Sequence, residues 1–215
     1  MMTPVKLLIF DLDGTLIDSR QDIAASVNRT FRDLNLPPKP DEIIYRYVGN
    51  GVRRLIIEAV ESEEPALVDR ALQIFEGHYL AHLLEETSLY PGILEMFSHF
   101  KDKKKGMATN KPTLYTERII KGLGIEHYFD VVLGGTPPLQ LKPHPDMLLK
   151  ILHTLGIAPE DAIMVGDSFT DIQAARAAGI RSCAVGYGLV EREALLAASP
   201  DFFVETAMDL ARLFR

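Results

Sequence analysis

Residues 5–10, Val-Lys-Leu-Leu-Ile-Phe, form a short and nearly continuous apolar run, and similar runs recur at 106–109, 131–133, 162–165, 182–185 and 202–204. Apolarity without alternation is the mark of a strand buried on both faces, as in a parallel sheet. Between these runs the apolar period changes to that of a helix. Met147, Leu148, Ile151, Leu152 and Leu155 share one helical face with Gly156 as the stop, and Ile172, Ala175 and Ala178 share another with Gly179 as the stop. Strands alternating with helices predict βαβ units, hence a parallel sheet covered by helices on both faces.

The stretch from about 18 to 90 breaks this rhythm and contains no strand pattern. Ile23, Val27, Phe31 and Leu34 define an amphipathic helix, with Asp18 or Ser19 as its N-cap. Leu55, Ile56, Ala59 and Val60 define a second helix, and Val68, Leu72, Phe75, Tyr79 and Leu83 a third. Pro37, Pro38 and Pro40 interrupt the chain between the first two. The expected architecture is therefore α/β: a Rossmann-like core of residues 1–17 and 88–215, with an all-helical domain of residues 18–87 inserted after the first strand.

Composition narrows the partners. The chain has 215 residues, enough for one large domain or one domain with an insertion. Its net charge of −7 and the lack of a basic stripe argue against nucleic acid; the lysine-rich run 101–105, broken by Asp102, reads as a solvated helix end. No signal-peptide pattern precedes residues 5–10, and that run is far shorter than the ~20 apolar residues of a membrane helix, so a soluble cytoplasmic protein, monomer or homodimer, is expected. The single cysteine, Cys183, cannot form a disulfide within the chain, and its apolar surroundings read as those of a buried, inert thiol. An acidic chain that binds a small anion must concentrate positive charge locally, from a metal ion, a lysine or helix N-termini.

Ligands of open α/β sheets bind at the carboxyl ends of the strands, where strand order reverses. Polar residues follow three of the runs directly. Asp11 and Asp13, in Asp11-Leu12-Asp13-Gly14-Thr15, would repel each other unless a divalent cation relieved them, and hard oxygen ligands suit Mg2+. One carboxylate could attack phosphorus while its neighbour handled the leaving-group proton. Taken alone, Asp-Gly is equally well a hairpin turn; the calcium-loop pattern fails, because Leu16 stands where that loop needs glycine. Thr109 and Asn110 could hold phosphate oxygens, although Asn110 also suits a plain N-cap. Lys142, ahead of Pro143, could neutralise phosphate charge or stand on the surface before a proline-started helix. Asp167 and Asp171 lie on one face of a helix start and could point at one cation; combined with the Asp11 pair they favour a metal site over simple complementation of the helix dipole.

These four groups in this order, Asp11-x-Asp13-Gly14-Thr15, Thr109-Asn110, Lys142-Pro143 and Gly166-Asp167-x-x-x-Asp171, resemble the four motifs of haloacid dehalogenase-type phosphatases. The resemblance spans roughly residues 5–204, and the helical insertion resembles that family's cap. Within the superfamily, the phosphoglycolate phosphatases are the nearest in look, through Tyr47-Val48-Gly49-Asn50-Gly51, Thr109-Asn110-Lys111-Pro112, Lys142-Pro143-His144-Pro145-Asp146 and Asp171-Ile172-Gln173-Ala174-Ala175; Thr170 departs from the asparagine frequent there. The resemblance implies a nucleophile at Asp11 and a general acid and base at Asp13. It implies Mg2+ held by the Asp11 carboxylate, the Asp13 backbone carbonyl and Asp167, with Asp171 in support. It further implies phosphoryl binding by Thr109 and Asn110, and Lys142 as the charge that orients Asp11.

Weaker signals complete the reading. His78 and His82 are spaced as in zinc helices, but Tyr79 replaces the glutamate of that motif, so exposed or interhelical positions are expected. Gly49, Asn50 and Gly51 suit a tight loop with free N–H groups, and Arg53 or Arg54 could reach a substrate carboxylate or lie in solvent. The favoured activity is Mg2+-dependent hydrolysis of a small phosphomonoester, 2-phosphoglycolate first. Alternatives on the same fold are a sugar phosphomutase, a pyrophosphatase, a dehalogenase (least favoured, since it does not need Asp13) or a non-catalytic binding protein.

Overall fold

The first apolar run folds as strand β1 (Leu7–Phe10), with all four residues buried, in a computed structural model that describes residues 2–215. The chain continues through β2 (Ile17–Asp18), α1 (Arg20–Asp33), α2 (Asp41–Tyr45), α3 (Val52–Val60), α4 (Pro65–His82) and β3 (Ser88–Leu89). It then alternates: α5 (Ile93–His99), β4 (Lys104–Ala108), α6 (Thr113–Gly122), β5 (Val131–Leu133), α7 (Asp146–Leu155), β6 (Ala162–Gly166), α8 (Phe169–Ala177), β7 (Arg181–Val185), α9 (Arg192–Ala197), β8 (Phe202–Val204) and α10 (Leu210–Leu213). The main sheet has the order β5-β4-β1-β6-β7-β8, and all of its pairings are parallel. Strand order reverses at β1, which lies between β4 and β6, so the crevice favoured for ligands opens at the carboxyl ends of these three strands.

Alternate residues of β1 serve the two faces. Leu8 and Phe10 belong to the apolar cluster on one side, with Phe10 edge-on to Phe97 of α5 at 5.8 Å between centroids. Leu7 and Ile9 belong to the other, with Met147, Ile151, Met164 and Ala174. A truncation such as Leu8→Ala in such a site costs about 2–5 kcal/mol. Gly156 (φ +63°) and Gly179 (φ +72°) follow α7 and α8 in the left-handed conformation, as expected of helix stops. Cys183 is buried in β7, where burial pushes its thiol well above the usual range.

All three helices expected in the insertion form, joined by the short α2 after the prolines. Their apolar residues Ile23, Val27, Phe31, Leu55, Phe75 and Tyr79 belong to the same cluster as Leu8 and Phe10, so the packing runs unbroken from the insertion onto the sheet. The two chain segments that enter and leave the insertion pair antiparallel, Ile17 with Leu89 and Asp18 with Ser88. Two residues per strand are too few to leave a periodic trace in the sequence. Asp22, buried in the first turn of α1, fastens the returning segment by accepting from Glu86 N, Thr87 N and Thr87 Oγ1 at 2.7–3.1 Å.

One expectation is corrected. The lysine run 101–105 is not a solvated helix end: α5 stops at His99, and Lys104 and Lys105 already belong to β4 in register with Leu7 and Leu8. Lys105 is buried and donates to the Lys103 carbonyl at 2.8 Å. Among the described residues no helix is long and apolar enough to cross a membrane.

Candidate active site

The carboxyl end of β1 delivers Asp11 into the crevice, and that of β6 delivers Asp167; Asp171 follows one turn into α8. All three carboxylates are buried, and each offers an oxygen within 4.8 Å of the others. Asp171 is held by a capping box: its carboxylate accepts from Ser168 N (3.1 Å) and Ser168 Oγ (2.6 Å), which also fixes the helix start. Asp167 accepts from Leu189 N at 2.7 Å. Gly14 (φ +79°) and Gly188 press their backbones against that carboxylate so closely that a Cβ on either would collide with it.

One cation of the chain serves this cluster. Lys142 Nζ, itself buried, lies 2.6 Å from Asp171 Oδ1 and 2.9 Å from Asp11 Oδ1. The approach to Asp11 is too oblique for a hydrogen bond, so this buried oxygen has no directed donor. Burial pushes the Asp11 carboxyl up to about 6; Lys142 opposes the shift, while Asp171 and Asp13 add to it. Burial, then Asp11 and Asp171, raise Asp167 well above the carboxylate range. Three buried carboxylates around one ammonium are short of positive charge, and a hard divalent cation with oxygen ligands fits that deficit.

Asp13 leaves the same loop in another direction. Its two oxygens take Lys111 Nζ at 2.9 and 3.1 Å, and Oδ1 also accepts from Ser19 Oγ at 2.5 Å. Its carboxylate is thus turned away from the acidic cluster, which leaves its backbone carbonyl as the group it could offer a cation. Ser19 occupies the N-cap position of α1 but makes no capping bond, because its hydroxyl is spent on Asp13. Lys111 is fully buried. Burial alone would push its ammonium down, but the Asp13 carboxylate together with Tyr79 more than offsets this and holds it above the ordinary lysine range. Tyr79, from α4, places its ring 4.8 Å from Lys111 Nζ, and its buried hydroxyl stands near the same ammonium. Burial raises that phenol to about 12, so it stays a neutral donor at ordinary pH.

Asp11, Asp13, Thr109, Asn110, Lys111, Gly49 and Tyr79 line one pocket between sheet and insertion, with ≈ 460 Å³ of empty space including the part open to solvent. Thr109 is buried at the end of β4 and accepts from Lys111 N at 3.2 Å. Asn110 has another occupation: its side chain bridges the Lys142 backbone in both directions (2.7 and 2.9 Å) and donates to the Gly49 carbonyl at 3.0 Å. Its amide is committed to joining two loops, which leaves its backbone as the group free to meet a ligand. Asn50, Arg53 and Arg54 are not brought into this pocket. They border a separate hollow beside it, with Arg53 paired to Asp69 at 2.7 Å and Arg54 to Glu58 at 2.6 Å, both in solvent. His78 bridges α4 to Asp33 at 2.7 Å and His82 pairs with Glu85, so neither belongs to the site.

Sequence reasoning passed over Lys111, Tyr79 and Ser19 as site residues. Lys111 stood inside a motif already singled out, and its place directly after two pocket residues was the available signal. Tyr79 and Ser19 gave none, since an apolar helix face and an N-cap accounted for them fully.

The model of the haloacid dehalogenase-like hydrolase family matches residues 8–185. The chain is 36% identical over 216 residues to a phosphoglycolate phosphatase of Colwellia psychrerythraea, covering 95% of both chains. It is 34% identical to that of Escherichia coli K12, covering 96% of this chain and 91% of the relative. Among solved structures, a predicted phosphoglycolate phosphatase from Haemophilus somnus superposes with a TM-score of 0.92 at 31% identity, covering 99% of each chain.

Proposed function

The chain belongs to the haloacid dehalogenase-like hydrolases, and from that membership we propose that it is a magnesium-dependent phosphatase that cleaves 2-phosphoglycolate to glycolate and phosphate through an aspartyl phosphate. The observation that carries this reading is the division of labour between two aspartates two residues apart. Asp11 faces a charge-deficient acidic cluster, whereas Asp13 faces away toward a lysine and a serine.

Asp11 attacks phosphorus in line, forming the Asp11–phosphorus bond as the bond to the leaving oxygen breaks. Asp13 gives its proton to that oxygen, which leaves as an alcohol. In the second half Asp13 takes a proton from water, the resulting oxygen attacks phosphorus, and Asp11 is released with inorganic phosphate. Lys142, 2.9 Å from Asp11, balances charge on the nucleophile and on the transferring group. The Thr109 hydroxyl and the Asn110 backbone N–H offer donors for phosphoryl oxygens, the N–H groups of Thr109 and Lys111 being spent on the Leu133 carbonyl and on Thr109 Oγ1. Mg2+, held by Asp11, Asp167, the Asp13 carbonyl and, in support, Asp171, would neutralise phosphoryl charge and keep the Asp11 carboxylate ionised. The segment 18–87 acts as a cap domain that covers the leaving group and excludes bulk water, and the enzyme works in the cytoplasm.

The test is phosphate release from a panel of small phosphomonoesters, with Mg2+ and after exhaustive chelation. Turnover of 2-phosphoglycolate that stops on chelation and returns with Mg2+ is expected. Undiminished activity without divalent cations, or no activity on any phosphomonoester, overturns the reading.

A further inference from the structure

Within the phosphatase reading, on which this step rests, we infer that Asn110 is a positioning residue: its amide couples the seating of the insertion's loop 49–51 to the placement of Lys142. Two observations carry it. The first is how the amide is used. The Lys142 N–H donates to Asn110 Oδ1 at 2.7 Å, and Asn110 Nδ2 donates to the Lys142 carbonyl at 2.9 Å and to the Gly49 carbonyl at 3.0 Å. Both N–H groups of one planar, buried amide are thus occupied, one in the core and one on the insertion. The second is the packing of the residue before Lys142. A Cβ on Gly51 would meet Leu141 Cδ1 at 2.9 Å, and a Cβ on Gly135 would meet Leu141 Cδ2 at 2.6 Å, so Leu141 is fitted between the loop and the core. The loop therefore rests on Asn110 and on Leu141, and both bear directly on the Lys142 backbone.

A clamp on the N–H and the C=O of one residue fixes that residue's backbone, and through it the start of the side chain. Lys142 Nζ ends 2.6 Å from Asp171 and 2.9 Å from Asp11, where a small displacement changes the charge felt at the reacting centre. If loop 49–51 withdraws, the Nδ2 proton that met Gly49 is left unpaired in a buried place, which is costly. Turning the amide to find it another partner breaks the bonds to Lys142, because all three bonds share the amide plane. Seating of the loop therefore supports the clamp, and the clamp supports seating by the same factor. The other ties between insertion and core, the β2–β3 pairing and Asp22 on Glu86 and Thr87, hold the linkers and do not reach Lys142. The Lys142 ammonium is thereby best placed for phosphoryl transfer when the loop covers the pocket, and less well placed when the pocket is open to water.

The experiment uses Gly49→Ala and Asn110→Ala, singly and together, in the Mg2+-loaded full chain. Gly49 has φ +112°, which a residue with a Cβ resists, and a Cβ there meets nothing within 4 Å. The substitution therefore disturbs the direction of the carbonyl without touching the core. In Gly49→Ala, hydrogen exchange of the Lys142 N–H, followed by NMR, should run about 2–10-fold faster relative to the amides of β6, the size of one neutral hydrogen bond. By the same measure kcat should fall about 2–10-fold, alike for 2-phosphoglycolate and for ethyl phosphate, which has the same length without the carboxylate. Asn110→Ala should lower kcat by roughly 10–100-fold, and in that background Gly49→Ala should add less than about twofold. An unchanged Lys142 exchange ratio in Gly49→Ala, or kcat losses that simply multiply in the double variant, overturns the coupling. A loss confined to 2-phosphoglycolate also overturns it, since the loop would then read the carboxylate. If Asn110→Ala fails to fold, as read by circular dichroism, the exchange ratio in Gly49→Ala decides. Should the wild-type chain hydrolyse no phosphomonoester, the phosphatase reading falls by itself, and the exchange ratio, which needs no turnover, judges the coupling separately.

Discussion

The two buried lysines of the pocket are built in opposite ways. Lys142 is surrounded by core residues alone: its ammonium meets Asp11 and Asp171, and its backbone is clamped by Asn110. Lys111 lies at the seam, with a core carboxylate on one side and an aromatic ring of the helical insertion on the other. The first environment has an excess of carboxylates and favours a divalent cation. The second is balanced by a single carboxylate that the proposed chemistry itself requires. The two sides of the pocket therefore differ in charge: the first is short of positive charge, and the second is already neutral.

The largest effect that would break this division concerns Asp11. Asp11→Asn should bring phosphate release below detection, since an amide cannot form the acyl phosphate. Turnover at the wild-type level would remove Asp11 from the centre of the first half. Asp13→Asn comes next, with an expected loss of roughly 10²–10⁴-fold in kcat. Because Asp13 bridges the halves, the loss should appear with 2-phosphoglycolate and ethyl phosphate alike; a loss confined to one of them would show that Asp13 reads the leaving group rather than transferring a proton.

Stability provides a third, smaller effect, on the first half alone. Asp11 is held near 6 against an ordinary value of 3.8, chiefly by burial. A carboxyl with a raised folded pKa binds its proton more tightly folded than unfolded, so this contribution is present in acid and is lost as pH rises through about 6. Above that range the ionised cluster is a standing cost that bound Mg2+ would offset. Saturating Mg2+ at ~100 times its Kd should stabilise the chain by about 2.7 kcal/mol. Thermal melts should therefore show a larger Mg2+-induced rise in Tm at about pH 7.5 than at about pH 5, where protons compete for the same oxygens. A rise that is equal at both pH values, or absent, would place the cation elsewhere. The smallest expected effect sharpens the second half: Arg53→Ala and Arg54→Ala should each change kcat/KM by less than about twofold on either substrate, as for exposed ion pairs. A selective rise in KM for 2-phosphoglycolate would return the recognition of its carboxylate to the loop that leads into α3.

The two halves also differ in how far they could be read before folding. Asp11, Thr109 and Asp167 follow directly on strands β1, β4 and β6, whose continuous apolar runs are written in the chain, and a parallel sheet necessarily gathers such strand ends on one edge. That is why the acidic cluster was legible. Ser19 and Tyr79 take the N-cap position and the buried helix face that the sequence predicts, and only packing turns the hydroxyl of one to Asp13 and the ring of the other to Lys111. Arg53 and Arg54 show the converse, since their charge suggested a role that solvent pairing with Asp69 and Glu58 has taken up.

What the chain determines by itself is therefore whatever follows from periodicity and adjacency: the parallel sheet, the three long helices of the insertion, the helix stops at Gly156 and Gly179, and the gathering of Asp11, Asp167 and Asp171 at the crevice. What only the tertiary structure decided are the contacts between segments far apart in the chain: Lys111 on Asp13, Tyr79 on Lys111, Asn110 on Gly49, and the short β2–β3 pairing. These join residues 61 to 98 positions apart in the cases of Asn110 with Gly49 and Lys111 with Asp13. No local propensity encodes such pairs. They are selected when the apolar face of the insertion packs onto the sheet and the polar groups trapped beneath it must find partners there.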